Sequence, residues 1–215
     1  MQHSKHYKDD GRITLPPEVK QYLNEHLLSQ LPNMQATNPK LMVVFSGGNG
    51  MGKTTISKRL AKDLQAIVLN NDTARHLLAT HWPDMPRDNV NKYMWQYMLE
   101  LFENLGSMTP NGLVVRDSVI DWYYDKLFPI FTKQGYHIFI IAFDLSREKR
   151  IDLVKARGNT HVATTDELLE MVDDLIVYEK RFRAIYKPDL TLTDDNLFDH
   201  DRVVRAVQKR LAELA

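Results

Sequence analysis

Eight consecutive residues, Gly47-Gly48-Asn49-Gly50-Met51-Gly52-Lys53-Thr54, carry the most specific chemistry in the chain. Their pattern, Gly-x4-Gly-Lys-Thr, is that of a loop that grips the phosphates of a nucleoside triphosphate. Each residue type has a physical reason to be there. Glycines let the backbone turn with positive φ and bring its N–H groups against phosphate oxygens. The segment that follows, Ile56-Ser57-Lys58-Arg59-Leu60-Ala61, forms helix well, and its N-terminus adds partial positive charge. Lys53 is expected to reach the β- and γ-phosphates and the Thr54 hydroxyl to ligate Mg²⁺, with Thr55 next in the cradle. The competing reading is a glycine-rich turn that binds nothing, and it requires motif, strand and helix to coincide by accident.

A second group lies one helix and a turn later, in Val68-Leu69-Asn70-Asn71-Asp72-Thr73-Ala74-Arg75. Asp72 is expected at the carboxyl end of a strand, where ligands bind in open α/β sheets. A carboxylate there can orient an acceptor hydroxyl and take its proton. Arg75, one turn on, can pair with phosphate or an anionic substrate. Asn71 or Asp72 could equally start a helix, and the two roles are compatible. Asp117, after Leu113-Val114-Val115, is expected to anchor waters of Mg²⁺. Arg116 interrupts the apolar run before it, either pointing into the cleft or pairing with Asp117. In Arg147–Arg157 the arginines at 150 and 157 are two helical turns apart, so both can project from one face. Such arginines neutralise charge developing on a transferred phosphoryl group. A merely solvated charged helix reads the same way. Arg181 and Arg183, on the following long helix, are outside candidates for the same role and read first as surface residues.

The elements that must position these groups are legible as alternation. Residues 41–45, 66–69, 113–115 and 138–141 are near-continuous apolar runs, the mark of strands buried on both faces of a parallel sheet. Residues 189–193 form a fifth candidate. Helices are expected at about 18–29, 53–64, 72–79, 89–105, 121–134, 147–157, 165–186 and 199–213. Strand–helix alternation of this kind implies an α/β fold with right-handed crossovers. The first 12 residues read as frayed, and 31–40 as a linker.

Composition narrows the classes. A length of 215 residues suits one sizeable core. The 28 basic residues balance 28 acidic ones, which gives no global attraction to a polyanion. Cysteine is absent, so disulfides, thiolate metal sites and a cysteine nucleophile are excluded. No apolar run is long enough to span a bilayer, and the start lacks a signal-peptide core, so a cytoplasmic protein is expected. A GTPase would need Asn-Lys-x-Asp to read guanine, and Asn91-Lys92-Tyr93-Met94 lacks the aspartate.

At Asn71-Asp72-Thr73, Asp72-x-x-Arg75, Asp117-Ser118 and Arg157-Gly158-Asn159 the chain resembles the P-loop kinases that include the zeta toxins and polynucleotide 5′-kinases. The resemblance covers about residues 41–193. It implies a three-layer P-loop NTPase fold, a five-stranded parallel sheet flanked by helices, with a lid segment. It also implies a division into an N-terminal helical extension and linker (1–40) and a kinase domain (41–215). In that reading ATP with Mg²⁺ is the donor, a hydroxyl-bearing small molecule the acceptor, Asp72 the base and Arg157 the lid arginine; Arg150 joins it on helix geometry alone. A polynucleotide 5′-hydroxyl acceptor and a non-catalytic nucleotide-binding regulator remain the alternatives, and an antitoxin-type protein is a further candidate partner. The loop Asp194-Asp195-Asn196 resembles one that flanks adenine, and a plain turn explains it equally well. The aromatic, Met-rich stretch Tyr93–Phe102 reads first as core packing, with an acceptor pocket that also involves Trp122 and Tyr123 as the alternative.

Overall fold

The structure, a computed structural model, describes residues 12–28, 39–108, 112–159 and 163–215. The expected frayed start and most of the linker lie outside these. Five strands form one parallel sheet: β1 (Leu41–Ser46), β2 (Ile67–Leu69), β3 (Leu113–Val119), β4 (His137–Asp144) and β5 (Leu190–Thr193). Their order is β2-β3-β1-β4-β5, with β1 in the centre. Every residue of β1 is buried, because helices cover both sheet faces and no polar side is needed. The main core joins Leu41, Val43 and Phe45 of β1 to Val115, Ile141 and Phe143, and to residues of the covering helices.

The helices are α1 (Pro17–Leu27), α2 (Lys53–Leu64), α3 (Asn71–His81), α4 (Arg87–Met108), α5 (Tyr124–Lys133), α6 (Arg147–Arg157), α7 (Thr165–Glu170), α8 (Val172–Ile185) and α9 (His200–Leu214). Local chemistry sets their ends. Ser146 caps α6 by accepting from Lys149 N, and Gly158 closes it. Thr164 and Glu167 form a reciprocal capping box at α7. The single helix expected over 165–186 is interrupted at Met171. That residue keeps right-handed helical angles (φ −82°, ψ −12°), so the apolar period runs through unbroken.

β3 is longer than its apolar run suggests. Arg116 continues the strand, completely buried, with its guanidinium 4.8 Å above the Phe102 ring. The β1–β3 register then slips, Val44 pairing with Arg116 but Phe45 with Val119, which bulges Asp117 and Ser118 out of the ladder.

The chain forms two compact units: one comprises Met1–Leu31 with Asn71–Leu101, the other Pro32–Asn70 with Phe102–Ala215. In the first, Tyr97 Oη donates to Asn24 Oδ1 (2.9 Å) and Lys20 pairs with Glu100 (2.7 Å). Helix α1 is therefore packed into this unit as a structural member. The second unit holds the whole sheet.

Candidate active site

The phosphate-loop motif leaves the carboxyl end of β1 and enters α2. Gly47 has φ +147°, and a Cβ there would lie 2.8 Å from Phe143 Cδ2, so only glycine fits. Gly52 is left-handed (φ 86°) immediately before Lys53, the first residue of α2. Lys53 is buried, and its Nζ donates to Gly47 O (3.1 Å) and to Gly48 O. Burial pulls its ammonium down from 10.5 to about 8, against the opposing pull of Asp117, Asp121 and Glu179; the charge of Arg157 lowers it further. Thr54 and Thr55 are exposed on the first turn of α2.

Asp117 stands in the β3 bulge, buried, and accepts from Asn70 Nδ2 at 2.7 Å. That bond ties the ends of β2 and β3 together. Its carboxylate and the Thr54 hydroxyl are hard oxygen donors of the kind Mg²⁺ takes alongside substrate phosphates. The Arg116 guanidinium lies over the Phe102 ring and feels the charge of the neighbouring Asp117.

In the other unit, α3 begins at Asn71, so Asp72 lies within its first turn. Arg75 pairs with Asp72 and donates through Nε to Asn91 Oδ1 at 2.9 Å. Arg75 thus orients the carboxylate and fixes it to α4.

The two arginines of α6 part company. Arg157 is exposed at the helix end. Arg150, expected beside it, turns inward: Nη1 and Nη2 bind Glu179 at 2.6 and 2.8 Å, Nε donates to Leu145 O (2.9 Å) and Nη2 to Phe143 O (3.1 Å). This inward placement has a physical cause. Arg150 shares the inward stripe of α6 with Val154, and a guanidinium in that position must find a buried acid. Arg183 joins the same group, reaching Phe143 O (2.6 Å), Glu179 Oε2 (3.2 Å) and Asp144 (2.7 Å), so it is no plain surface residue.

Two acids were missed by sequence reasoning. Asp121 Oδ2 accepts from Gly47 N (2.8 Å), and Glu179 Oε1 accepts from Gly48 N (2.9 Å). Burial pushes the Asp121 carboxyl up to about 6. A signal for Glu179 was present. Leu175, Glu179 and Phe182 are spaced i, i+4, i+7, which sets an acid on the core face of α8.

The weaker expectations resolve simply. Asp194 accepts from Ser146 N (3.0 Å) and Oγ (2.6 Å), and Asn196 from Thr193 N (2.9 Å), so this loop braces the start of α6. Met94, Tyr97, Met98, Leu101 and Phe102 are buried as core. Trp122 packs edge-on against Tyr178, with centroids 5.6 Å apart. Among the described residues no helix is long and apolar enough to cross a membrane.

Residues 42–175 match the family described as an AAA domain. The curated proteins give no match. Solved structures similar in fold include a protein provisionally assigned as a kinase from Chloroflexus aurantiacus J-10-fl (TM-score 0.60, 16% identity, covering 84% of this chain and 100% of that one). Another is from the PezAT chromosomal toxin–antitoxin system of Streptococcus pneumoniae (0.56, 15%, 95% and 99%). A third is a gluconokinase from Sinorhizobium meliloti 1021 (0.52, 14%, 83% and 95%). The five-stranded parallel sheet flanked by helices is thus a P-loop kinase-like α/β fold.

Proposed function

The chain belongs to the AAA domain family, and on that premise we propose that it is an ATP-dependent kinase, moving the γ-phosphoryl group to a hydroxyl of a small-molecule acceptor. The observation that carries this reading is the glycine loop between β1 and α2, with the buried Lys53 ammonium folded against it. Backbone N–H groups of the loop and Lys53 hold the triphosphate. Thr54 and Asp117 would hold Mg²⁺, which would screen the charge of the phosphates. Arg157 supports the phosphoryl group during in-line transfer.

Asp72 takes the acceptor's proton, oriented by Arg75. Its place in the chain supports this role, two residues beyond the Asn70 that meets Asp117. A zeta-toxin-like acceptor, such as a nucleotide sugar, is the first to test, because Asn71-Asp72-Thr73 resembles the acceptor-site segment of the zeta toxins; the PezAT structure is similar to this chain in fold. The same likeness makes an antitoxin-type protein the partner to seek. A cytoplasmic location is part of the same reading.

The test is incubation with labelled ATP, Mg²⁺ and a metabolite mixture, followed by a search for new phosphorylated species. Wild type should yield one product class, and Asp72→Asn should bind ATP yet transfer little. Tight ATP binding with no product from wild type would favour a regulatory module, and full transfer by Asp72→Asn would reject the assigned base.

A further inference from the structure

Acids beside a phosphate loop repel the anion the loop must hold, so Glu179 requires an explanation. It is 3% exposed, and its carboxylate meets the Gly48 N–H at 2.9 Å. Arg150, equally buried, grips both oxygens of that carboxylate. The same guanidinium binds the carbonyls of Phe143 and Leu145 at the end of β4. Phe143 in turn is the side chain against which Gly47 packs. One buried cation therefore joins α6, α8, the end of β4 and the beginning of the phosphate loop.

We infer that Glu179, locked by Arg150, is a positioning residue that clamps the Gly48 amide and so sets the loop for nucleotide. The inference rests on the kinase reading above. Arg150 cancels the charge of Glu179, leaving it to act on the loop as a hydrogen-bond acceptor. Asp121 does the same for Gly47. With the first two N–H groups held by carboxylates, the grip on phosphate falls to those from Asn49 to Thr54. Because Arg150 and Arg157 share α6, the clamp also fixes where Arg157 stands relative to the loop.

A buried ion pair can often be exchanged for apolar residues of similar volume without loss of stability. The double substitution Arg150→Met/Glu179→Leu thus removes the clamp while keeping a packed interior. ATP–Mg²⁺ affinity would be measured by calorimetry and stability by thermal melting. The expected result is affinity lowered at least about tenfold, with the melting temperature close to that of wild type. A pair with only a structural role would shift the melting temperature and leave the affinity of the folded protein unchanged. Equal affinity in a folded double variant therefore overturns the clamp. Should that variant fail to fold, NMR on the wild-type chain decides. The Gly48 amide should be protected from hydrogen exchange, and exchange as fast as a surface loop amide rejects the clamp. If wild type binds no nucleotide, the kinase reading falls and the clamp with it. Binding by wild type that the double variant equals rejects the clamp alone.

Discussion

Lys53→Met should make the protein more stable at neutral pH while abolishing phosphoryl transfer. Burial depresses the ammonium from 10.5 to about 8 even though three acids lie near it. At about 1.36 kcal/mol for each tenfold change, the buried charge destabilises the folded chain by roughly 3 kcal/mol. Methionine keeps the aliphatic bulk and removes the charge. It also removes the hydrogen bonds to the carbonyls of Gly47 and Gly48, each contributing about 1 kcal/mol. The balance is a gain of about 1 kcal/mol, or roughly 2–4 °C in melting temperature for a chain of this size.

The pH dependence gives the sharper check. Below pH 8 Lys53 is protonated in both folded and unfolded wild type, and the full cost is present. Between pH 8 and 10.5 the folded chain gives up a proton that the unfolded chain keeps, so wild-type stability rises with pH. The variant's advantage must shrink across that window and then reverse, since the neutral amine still makes its hydrogen bonds. Urea denaturation of both proteins at pH 7, 9 and 10.5 measures this, and their difference cancels the titrating groups that do not interact with Lys53. A variant less stable than wild type at pH 7, or a gap that stays constant with pH, refutes the reasoning.

Three further substitutions probe the same site. Gly47→Ala places a methyl 2.8 Å from Phe143 Cδ2 on a backbone with φ +147°, and should cost about 2–4 kcal/mol in a denaturant titration through strain and overpacking. Asp121→Asn keeps an acceptor for Gly47 N and removes a buried carboxyl raised from 3.8 to about 6. The variant should be more stable at pH 7 by up to about 3 kcal/mol. That advantage should fade as the pH falls from 6 towards 3.8, where folded wild type takes up its proton before the unfolded chain does. Arg157→Ala should lower the transfer rate by about 10³-fold in a product assay, with ATP affinity changed far less, because the arginine acts on charge that develops during transfer.

The sheet was legible because its strands are written as uninterrupted apolar runs, and the phosphate loop because few other segments combine four glycines with Gly-Lys-Thr before a helix. What escaped were features set by long-range partners. β3 was expected to stop at Val115, yet Arg116 extends it because Phe102, from a helix ending just before that strand, accepts its guanidinium. Arg150 and Arg157 share a helical face by spacing, but Arg150 lies inside α6 on its buried stripe and Arg157 at its exposed end. The acid that receives Arg150, Glu179, is 29 residues away. Helix α1 read as an extension because its partners, Tyr97 and Glu100, follow it by more than 70 residues.

The acids missed in the sequence alter the electrostatic picture of the loop. A phosphate cradle is ordinarily described by its positive features, a lysine and a helix N-terminus. Here the charges of Asp117, Asp121 and Glu179 oppose the lowering of that lysine's pKa by burial. Asp121 and Glu179 also hold two loop amides in place. Left alone, a glycine-rich loop loses more conformational freedom on ordering than any other kind of segment, and a triphosphate would have to supply that ordering on binding. Carboxylates that order part of the loop beforehand reduce this cost. Their repulsion of phosphate is limited because Glu179 is neutralised by Arg150 and Asp121 is drawn towards its neutral form by burial. Preorganisation and charge balance are thus supplied by the same buried residues.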